Sequence, residues 1–178
     1  MSELIERGGV PEGYKVEVFD GRVIMTPQSP EQHWTVRDVE SAVTAAGIAR
    51  ERVFGDVLVT FPGENDAAPD LTVIGFDAER RRNSYSCIDV LMVAEVPSEP
   101  EDEKDYVRNV RKYGRYGIDF YMIADPFKKV VTLMSEPHAS GYGSVVETPY
   151  GESVTLTLAT GERVKIDTST FPTRGVSI

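Results

Sequence analysis

Cysteine, which forms disulfide bonds, and histidine, which is a common metal ligand, are scarce in this 178-residue chain. The only cysteine is Cys87, so an internal disulfide framework is excluded, and a reducing cytoplasm is compatible with the chain. His33 has no second histidine at ligand spacing, and His138 falls in a polar loop. The sequence therefore disfavours a histidine-based metal site.

Basic residues and long apolar runs are scarce as well. Lys plus Arg total 19 against 29 Asp plus Glu, and the formal net charge of −10 counts against indiscriminate binding to nucleic acid or anionic membranes. No segment approaches the ~18 apolar residues of a membrane span, and the first ten residues carry acids instead of an apolar signal region. We expect a soluble cytoplasmic protein with no membrane partner. Its length predicts one domain, residues 1–178, that buries roughly 70 % of its unfolded surface.

The central feature of the sequence is a strand, helix, strand unit. Val90 to Val96 is short, apolar and rich in branched residues, as expected of a buried strand, yet it contains Glu95. Residues 101–116 predict a helix that ends at Gly117, and 120–124 form a second apolar strand. The two strands should be parallel neighbours in one sheet. A carboxylate in such a strand is costly unless it is paired or binds a metal.

The first part of the chain predicts a hairpin and a helix. Two branched runs between Lys15 and Met25 are joined by Asp20-Gly21, a strong type I′ turn signal. Alternation puts Glu17 on the opposite face of its strand from the flanking valines, and a solvent-facing position is the simplest interpretation. Ser29, followed by Pro30 and then Gln32, is typical of a capping box that opens a helix, and Gly47 ends it.

A second acid stands at the start of another strand. Residues 53–61 predict one strand, and a polar loop then leads into Pro69-Asp70 ahead of an apolar run. Such a Pro-Asp pair commonly marks a turn, which is the structural alternative to a functional role for Asp70. Three arginines at 80–82 could form a solvated loop or contact phosphate. After Pro126 the chain predicts only short alternating strands, at 129–134, 143–148, 154–158 and 163–166, arranged as hairpins that cover the main sheet.

The acids and the basic helix together predict a particular chemistry. An aspartate at the head of one strand, a glutamate near the end of the next and a basic helix are the parts of a two-carboxylate Mg²⁺ or Mn²⁺ site for phosphodiester hydrolysis. Asp70 and Glu95 would be the metal ligands. A structural ion pair with Arg108 or Lys112 is the rival explanation for these acids.

Several motifs resemble those of the Uma-type restriction endonuclease family within the PD-(D/E)XK nuclease superfamily. The resemblance rests on their order and covers nearly the whole chain; the motifs are Pro69-Asp70-Leu71, residues 91–98 around Glu95, Asp105, Tyr113, Gly117-Ile118, Tyr121, Asp125-Pro126 and the hairpin at 17–21. It implies an α/β fold with a restriction-endonuclease-like core, in which helices flank a mixed central sheet, plus an N-terminal hairpin and C-terminal antiparallel hairpins. It also implies that Glu17, Asp70 and Glu95 line one metal site.

One position departs from the family pattern. An aspartate on the helix is usually followed four residues later by lysine, and aligning Asp105 with that aspartate puts Asn109 in the lysine's place. The alternative lysine position of the superfamily is Pro97. Lys112, three residues after Asn109, could supply the missing ammonium, although it could equally be one of several cations on a solvated helix face. Lys104 and Arg108 are poorer substitutes.

Two hypotheses therefore stay open. In the first, the protein is a metal-dependent DNA endonuclease and a homodimer, in which Asp70 and Glu95 bind Mg²⁺, Glu17 assists and Lys112 replaces the missing lysine. In the second, the nuclease fold has lost efficient catalysis and serves in nucleic-acid or protein binding. The charge of −10 and Asn109 favour the second hypothesis, whereas the three acids favour the first.

Overall fold

The structure is a computed structural model that describes residues 14–19 and 22–175, with side chains described at Met25 and from residue 27 to residue 175. It is built mainly from β-strands. In chain order the strands are β1 (Tyr14–Phe19), β2 (Arg22–Pro27), β3 (Val53–Phe54), β4 (Leu58–Thr60), β5 (Leu71–Ile74), β6 (Ser84–Ser86), β7 (Val90–Glu95), β8 (Phe120–Asp125), β9 (Val130–His138), β10 (Gly141–Pro149), β11 (Ser153–Thr157) and β12 (Arg163–Asp167). Strands β1 and β2 pair antiparallel, as the predicted hairpin requires, and its Asp20-Gly21 turn lies outside the described residues.

Helix α1 (Pro30–Ala45) begins as the sequence predicts. The Ser29 hydroxyl oxygen accepts a hydrogen bond from the backbone N–H of Gln32, at 3.2 Å, and Pro30 occupies the first helical position. In a full capping box the Gln32 side chain would return to the cap residue, but here it donates to Asp70. Only one of the two hydrogen bonds of the predicted capping box is therefore present, because the Gln32 side chain belongs to the site described below.

The second predicted helix is shorter and less regular than residues 101–116. Glu101 has a φ of 57°, a left-handed conformation that no α-helix includes. A π-helical turn spans Lys104–Arg108, and helix α2 follows as Asn109–Arg115. Gly117 then ends the helix at a φ of 76°, as predicted. Among the described residues, no helix is both long enough and apolar enough to span a membrane.

A six-stranded mixed sheet forms the centre of the fold, in the order β10-β9-β8-β7-β5-β3. Strands β7 and β8 are parallel, which confirms the predicted strand, helix, strand unit, and each other neighbouring pair in this sheet is antiparallel. The register of β5 and β7 pairs Leu71 with Ala94. The start of β5 therefore lies beside the end of β7.

The prediction of one strand from Val53 to Phe61 is wrong. The chain divides there into β3, in the central sheet, and β4, which pairs in parallel with β6 in a separate two-stranded sheet. Asp56, between them, has a φ of 52°, and a left-handed residue cannot continue a strand. The backbone turns at Asp56, whose N–H donates to Pro69 O at 3.1 Å.

The predicted C-terminal hairpins are present, but they have two different places. Strands β9 and β10 extend the central sheet, because β9 pairs with β8, so this hairpin does not cover the sheet as predicted. Strands β11 and β12 form the second hairpin and alternate buried and exposed residues. The buried side chains of this hairpin belong to the same core as Val39 and Val43 of α1. The second hairpin is therefore the one that packs against the main core.

Two apolar cores lie on opposite faces of the central sheet. Met92 and Ala94 of β7 join the core that includes α1 and the β11–β12 hairpin, whereas Val93 joins the core with Tyr113 of α2 and Tyr121 of β8. Since side chains alternate along a strand, Glu95 shares the face of Val93. The fold thus directs this carboxylate into the aromatic layer under α2.

Candidate active site

Asp70 and Glu95 lie side by side at one end of two neighbouring strands. Asp70 directly precedes β5 and Glu95 is the last residue of β7, and the backbone N–H of Asp70 donates to Glu95 Oε2 at 3.3 Å. Their exposed fractions are only 2 % and 1 %. The structure therefore brings together the two acids that the sequence indicates as metal ligands, and it buries both.

Neutral donors orient the Asp70 carboxylate from two directions. Gln32 Nε2, on the first turn of α1, donates to Oδ1 at 2.8 Å, and the backbone N–H of Val96 donates to Oδ2 at 2.8 Å. Gln32 is itself buried. With a bond on each oxygen, the carboxylate is held in one orientation between the helix and the end of β7.

The Glu95 carboxylate is held by residues of α2. Tyr113 Oη donates to Glu95 Oε1 at 3.1 Å, and Asn109 Nδ2 approaches the same oxygen at 3.4 Å. Asn109 and Tyr113 are four residues apart, which places them on one face of the helix. The helix therefore supplies an amide and a phenol to this buried acid.

Asp105 adds a third carboxylate to this network. Its Oδ1 accepts from Asn109 Nδ2 at 3.0 Å and lies 3.9 Å from Lys104 Nζ, and its side chain is buried. The Asn109 amide thus bridges Asp105 and Glu95. Asp105 lies within the π-helical turn, a feature that is frequent at functional sites.

Tyr121 closes the network from the sheet. Its hydroxyl donates to the backbone oxygen of Asp105 at 3.0 Å. Burial raises the pKa of the Tyr121 hydroxyl well above its ordinary value, and the nearby carboxylates of Asp105 and Glu95 add to the effect. Tyr121 therefore stays protonated and serves as a donor.

Lys112 and Glu17 are the other two predicted site residues. The contacts described for the Lys112 ammonium are a hydrogen bond to the backbone oxygen of Asn65 and a position 4.3 Å from the centre of the Phe61 ring. Asn109 and Tyr113, on its own helix, contact Glu95. The backbone of Glu17 lies in β1 opposite Ile24, but its side chain is outside the described residues. Catalytic roles for Lys112 and Glu17 stay predictions.

Gln32, Asp105, Asn109 and Tyr113 belong to the site, although sequence reasoning did not assign them functional roles. A signal existed for three of them, since Asp105, Asn109 and Tyr113 recur at intervals of four residues on one helix face. Gln32 carries no such signal. Its sequence position is explained by helix capping alone, and only the fold shows that it reaches Asp70.

The two acids suit a hard cation. Carboxylate oxygens are the ligands that Mg²⁺ and Mn²⁺ prefer, and Mg²⁺ commonly uses only one or two protein carboxylates together with substrate phosphate and water. Within the described side chains, no cluster of three His, Cys, Asp or Glu could hold a metal. Asp70 and Glu95 present carboxylate oxygens of this kind at adjacent strand ends.

A pocket of about 310 Å³ opens beside Asp70. Helix α1 forms one wall, with Gln32, His33 and Arg37, and Asp56 and Gln28 line it from the turn after β3 and the segment before α1. Gln28 Nε2 donates to Asp56 Oδ2 at 2.9 Å. A polar cavity thus leads from solvent to one of the two central carboxylates.

The central mixed sheet, its few helices and the additional antiparallel hairpins form an α/β fold of the nuclease-like kind. The family model Uma2, described as "Putative restriction endonuclease", matches residues 2–169, and the chain belongs to this family. Among solved structures, the chain is similar to a protein from Anabaena variabilis ATCC 29413 described as a putative nuclease belonging to DUF820. The two share 20 % sequence identity with a TM-score of 0.57, over 79 % of this chain and 80 % of that chain. No match was found among curated proteins.

Proposed function

We propose that this protein is a metal-dependent DNA endonuclease that hydrolyses phosphodiester bonds with Mg²⁺ or Mn²⁺ held by Asp70 and Glu95. The observation that carries the proposal is the meeting of these two buried carboxylates at the ends of β5 and β7, joined by the hydrogen bond from the Asp70 N–H to Glu95 Oε2. Membership of a restriction-endonuclease family supports the reaction class. Burying two acids together is costly, and a shared divalent cation offsets that cost.

Each residue of the network has a role in this proposal. Gln32 and the Val96 N–H fix the orientation of Asp70, while Tyr113 and Asn109 fix Glu95. The metal, when bound, would activate a water molecule and offset the charge on the scissile phosphate. Because the carboxylates are already oriented, little rearrangement would accompany binding.

Glu17 and Lys112 complete the proposed machinery. Glu17, on β1, would act on the metal directly or through water. The Lys112 ammonium would stabilise the charge that develops on the phosphate, a role for which its long flexible side chain is suited.

The second candidate function is a nuclease-fold module without efficient catalysis, acting in nucleic-acid or protein binding. Asn109 favours it, because a neutral amide, within 3.0 Å of Asp105 and 3.4 Å of Glu95, stands where the family pattern has lysine. The formal charge of −10 also opposes broad contact with nucleic acid.

We further propose a cytoplasmic homodimer. The strand β10 is an edge of the central sheet and exposes Val145 and Val146, so two copies could pair at this edge about a twofold axis. Paired active sites would suit cleavage of two DNA strands. The single free thiol, Cys87, is buried and compatible with a reducing compartment.

The test is a cleavage assay on plasmid and single-stranded DNA with Mg²⁺ or Mn²⁺. The native protein is compared with Asp70→Asn and Glu95→Gln, which keep the shape of the side chains and remove their charge, and with Glu152→Gln as an exposed control. We expect the two site variants to lose about 10²–10³-fold in rate and the control to retain it. Metal binding without cleavage by the native protein would select the second function. Equal cleavage by all four proteins would refute the active-site assignment.

A further inference from the structure

The pocket beside Asp70 has the size of a site for one small unit of a polymer. Pockets that enclose small ligands run from about 300 to 1,000 Å³, so a volume of about 310 Å³ suits one unpaired nucleotide. Asp70 lines it, and Gln28 and Gln32 add amide groups. A strand that places a nucleotide here brings a neighbouring phosphodiester to the central carboxylates.

The wall of the pocket on α1 carries hydrogen-bond donors suited to phosphate. His33 and Arg37 are four residues apart and both line the pocket, together with the Glu40 carboxylate of the same helix. The Arg37 guanidinium pairs with Glu40 at 3.2 Å, but the two side chains are 61 % and 37 % exposed, so water screens this pair. Arg37 therefore retains N–H donors for a phosphate, and the His33 ring can donate another.

An exposed aromatic ring stands next to this wall. Trp34 is 58 % exposed, and its ring lies 5.2 Å from that of His33 in an edge-on arrangement, at an angle of 80°. Exposed aromatic side chains such as tryptophan are platforms on which unpaired bases stack. Trp34 is also the single tryptophan of the chain, so its fluorescence reports on this one place.

We propose that helix α1 binds an unpaired DNA strand, with a base stacked on Trp34, a phosphate held by Arg37 and His33, and one nucleotide seated in the pocket beside Asp70. This inference rests on the proposed function, which it deepens by naming single-stranded or locally unpaired DNA as the preferred substrate. A rigid duplex keeps its bases paired and stacked, and so presents no single nucleotide to the pocket without an unpairing cost.

The experiment measures strand binding without cleavage. In EDTA, the fluorescence of Trp34 is titrated with a single-stranded oligothymidylate, the same length of duplex DNA and an oligouridylate. Binding by variants is then measured by anisotropy of a labelled strand. The variants are Arg37→Met, His33→Ala and Trp34→Leu, all at exposed positions.

Two control variants match the chemistry of these changes at other places. Arg50→Met removes an exposed arginine that pairs with Glu51 at 3.5 Å and does not line the pocket. Phe76→Leu removes a ring that is 81 % exposed and follows β5 at the end opposite Asp70. Thermal unfolding of each variant verifies that it is folded.

We expect the single-stranded DNA to quench Trp34 fluorescence and to bind more tightly than duplex or RNA. Trp34→Leu should weaken binding about tenfold. Arg37→Met should weaken it about fivefold and lower the slope of log affinity against log salt by about 0.7, the contribution of one phosphate contact on a single strand. His33→Ala should weaken it about twofold to threefold, and the controls less than twofold.

Several results would overturn this inference: no binding or no quenching, tighter binding of duplex or RNA, or equal losses in the pocket variants and the controls. The proposed function has a separate test in metal binding and cleavage by Asp70→Asn. A protein that cleaves DNA but fails the fluorescence test loses this inference alone. A protein that passes the fluorescence test but is unaffected by Asp70→Asn in metal binding keeps the strand site and loses the nuclease assignment.

Discussion

Replacing Asn109 by leucine should destabilise the protein substantially, although leucine and asparagine are close in size. The Asn109 amide, 6 % exposed, donates to Asp105 at 3.0 Å and to Glu95 at 3.4 Å. A hydrogen bond to a charged group contributes about 1.5–3 kcal/mol, and the longer of these two bonds contributes less than the shorter. The two losses together therefore predict a decrease of about 2–4 kcal/mol in the free energy of unfolding.

The assay is thermal unfolding followed by circular dichroism. For a domain of this size, 1 kcal/mol shifts Tm by roughly 2–4 °C, so Asn109→Leu should lower Tm by about 5–15 °C. Asn83→Leu is the matched control, because Asn83 is exposed and its carbonyl oxygen accepts only from Arg80 among the contacts described for its side chain. The control should change stability by less than about 0.5 kcal/mol. A Tm for Asn109→Leu within about 2 °C of the native value would refute the bridging role of this amide.

Three other predictions concern activity, alkaline stability and assembly. If catalysis has decayed because Asn109 replaces lysine, Asn109→Lys should raise the cleavage rate about 10²–10³-fold. If Lys112 has taken over the role of that lysine, Lys112→Ala should abolish cleavage and leave the metal affinity unchanged. An absence of both effects would contradict the two alternatives. Burial raises the pKa of Tyr106 and Tyr121, and the hydrogen bond to Asp125 raises the pKa of Tyr106 further. Because both pKa values are higher in the folded protein, the contribution of these tyrosines to stability is complete below a pH of about 10 and is lost as the pH rises further. Unfolding temperatures should therefore fall above this pH together with the appearance of tyrosinate absorbance, and early ionisation of every tyrosine in the folded protein would contradict the prediction. Light scattering at micromolar concentration should give the mass of a dimer, and Val146→Lys on the exposed edge strand β10 should dissociate it. A monomer mass for the native protein would refute the proposed assembly.

Much of the fold follows from local patterns in the sequence. The parallel pair β7 and β8 could be predicted because both strands are short apolar runs separated by a helix-length segment. The start of α1 could be predicted because Ser29, Pro30 and Gln32 satisfy helix-end hydrogen bonds locally. These features depend on neighbours a few residues away, which periodicity and capping rules describe.

Other parts of the fold depend on contacts that no local pattern encodes. The turn at Asp56 is one of them, since an aspartate in a left-handed conformation is uncommon and the surrounding branched residues favour a continuous strand. The close packing of α2 on the β9–β10 hairpin is another. A Cβ on Gly114 would collide with the backbone of Gly141, so a helix glycine that local rules count as a weakness is required by tertiary packing.

For the site, the sequence indicated the acids but not their surroundings. Asp70 and Glu95 could be selected because each is an acid at the edge of an apolar strand. Gln32 acts on Asp70 across 38 positions of sequence, and the π-helical turn around Asp105 has no period that distinguishes it from α-helix in advance. The helix face of Asn109 was visible from spacing, yet only the fold shows that its amide joins two carboxylates.

Calorimetric titration with Mn²⁺ and Mg²⁺ tests the central claim most directly, because it asks whether Asp70 and Glu95 bind a metal without requiring catalysis. The native protein should bind, and Asp70→Asn and Glu95→Gln should each lose at least about tenfold in affinity, since even residues that only support metal ligands cost 10–100-fold when changed. The exposed control Glu152→Gln should bind like the native protein. Equal affinity in all four proteins, or no binding by the native one, would contradict the account.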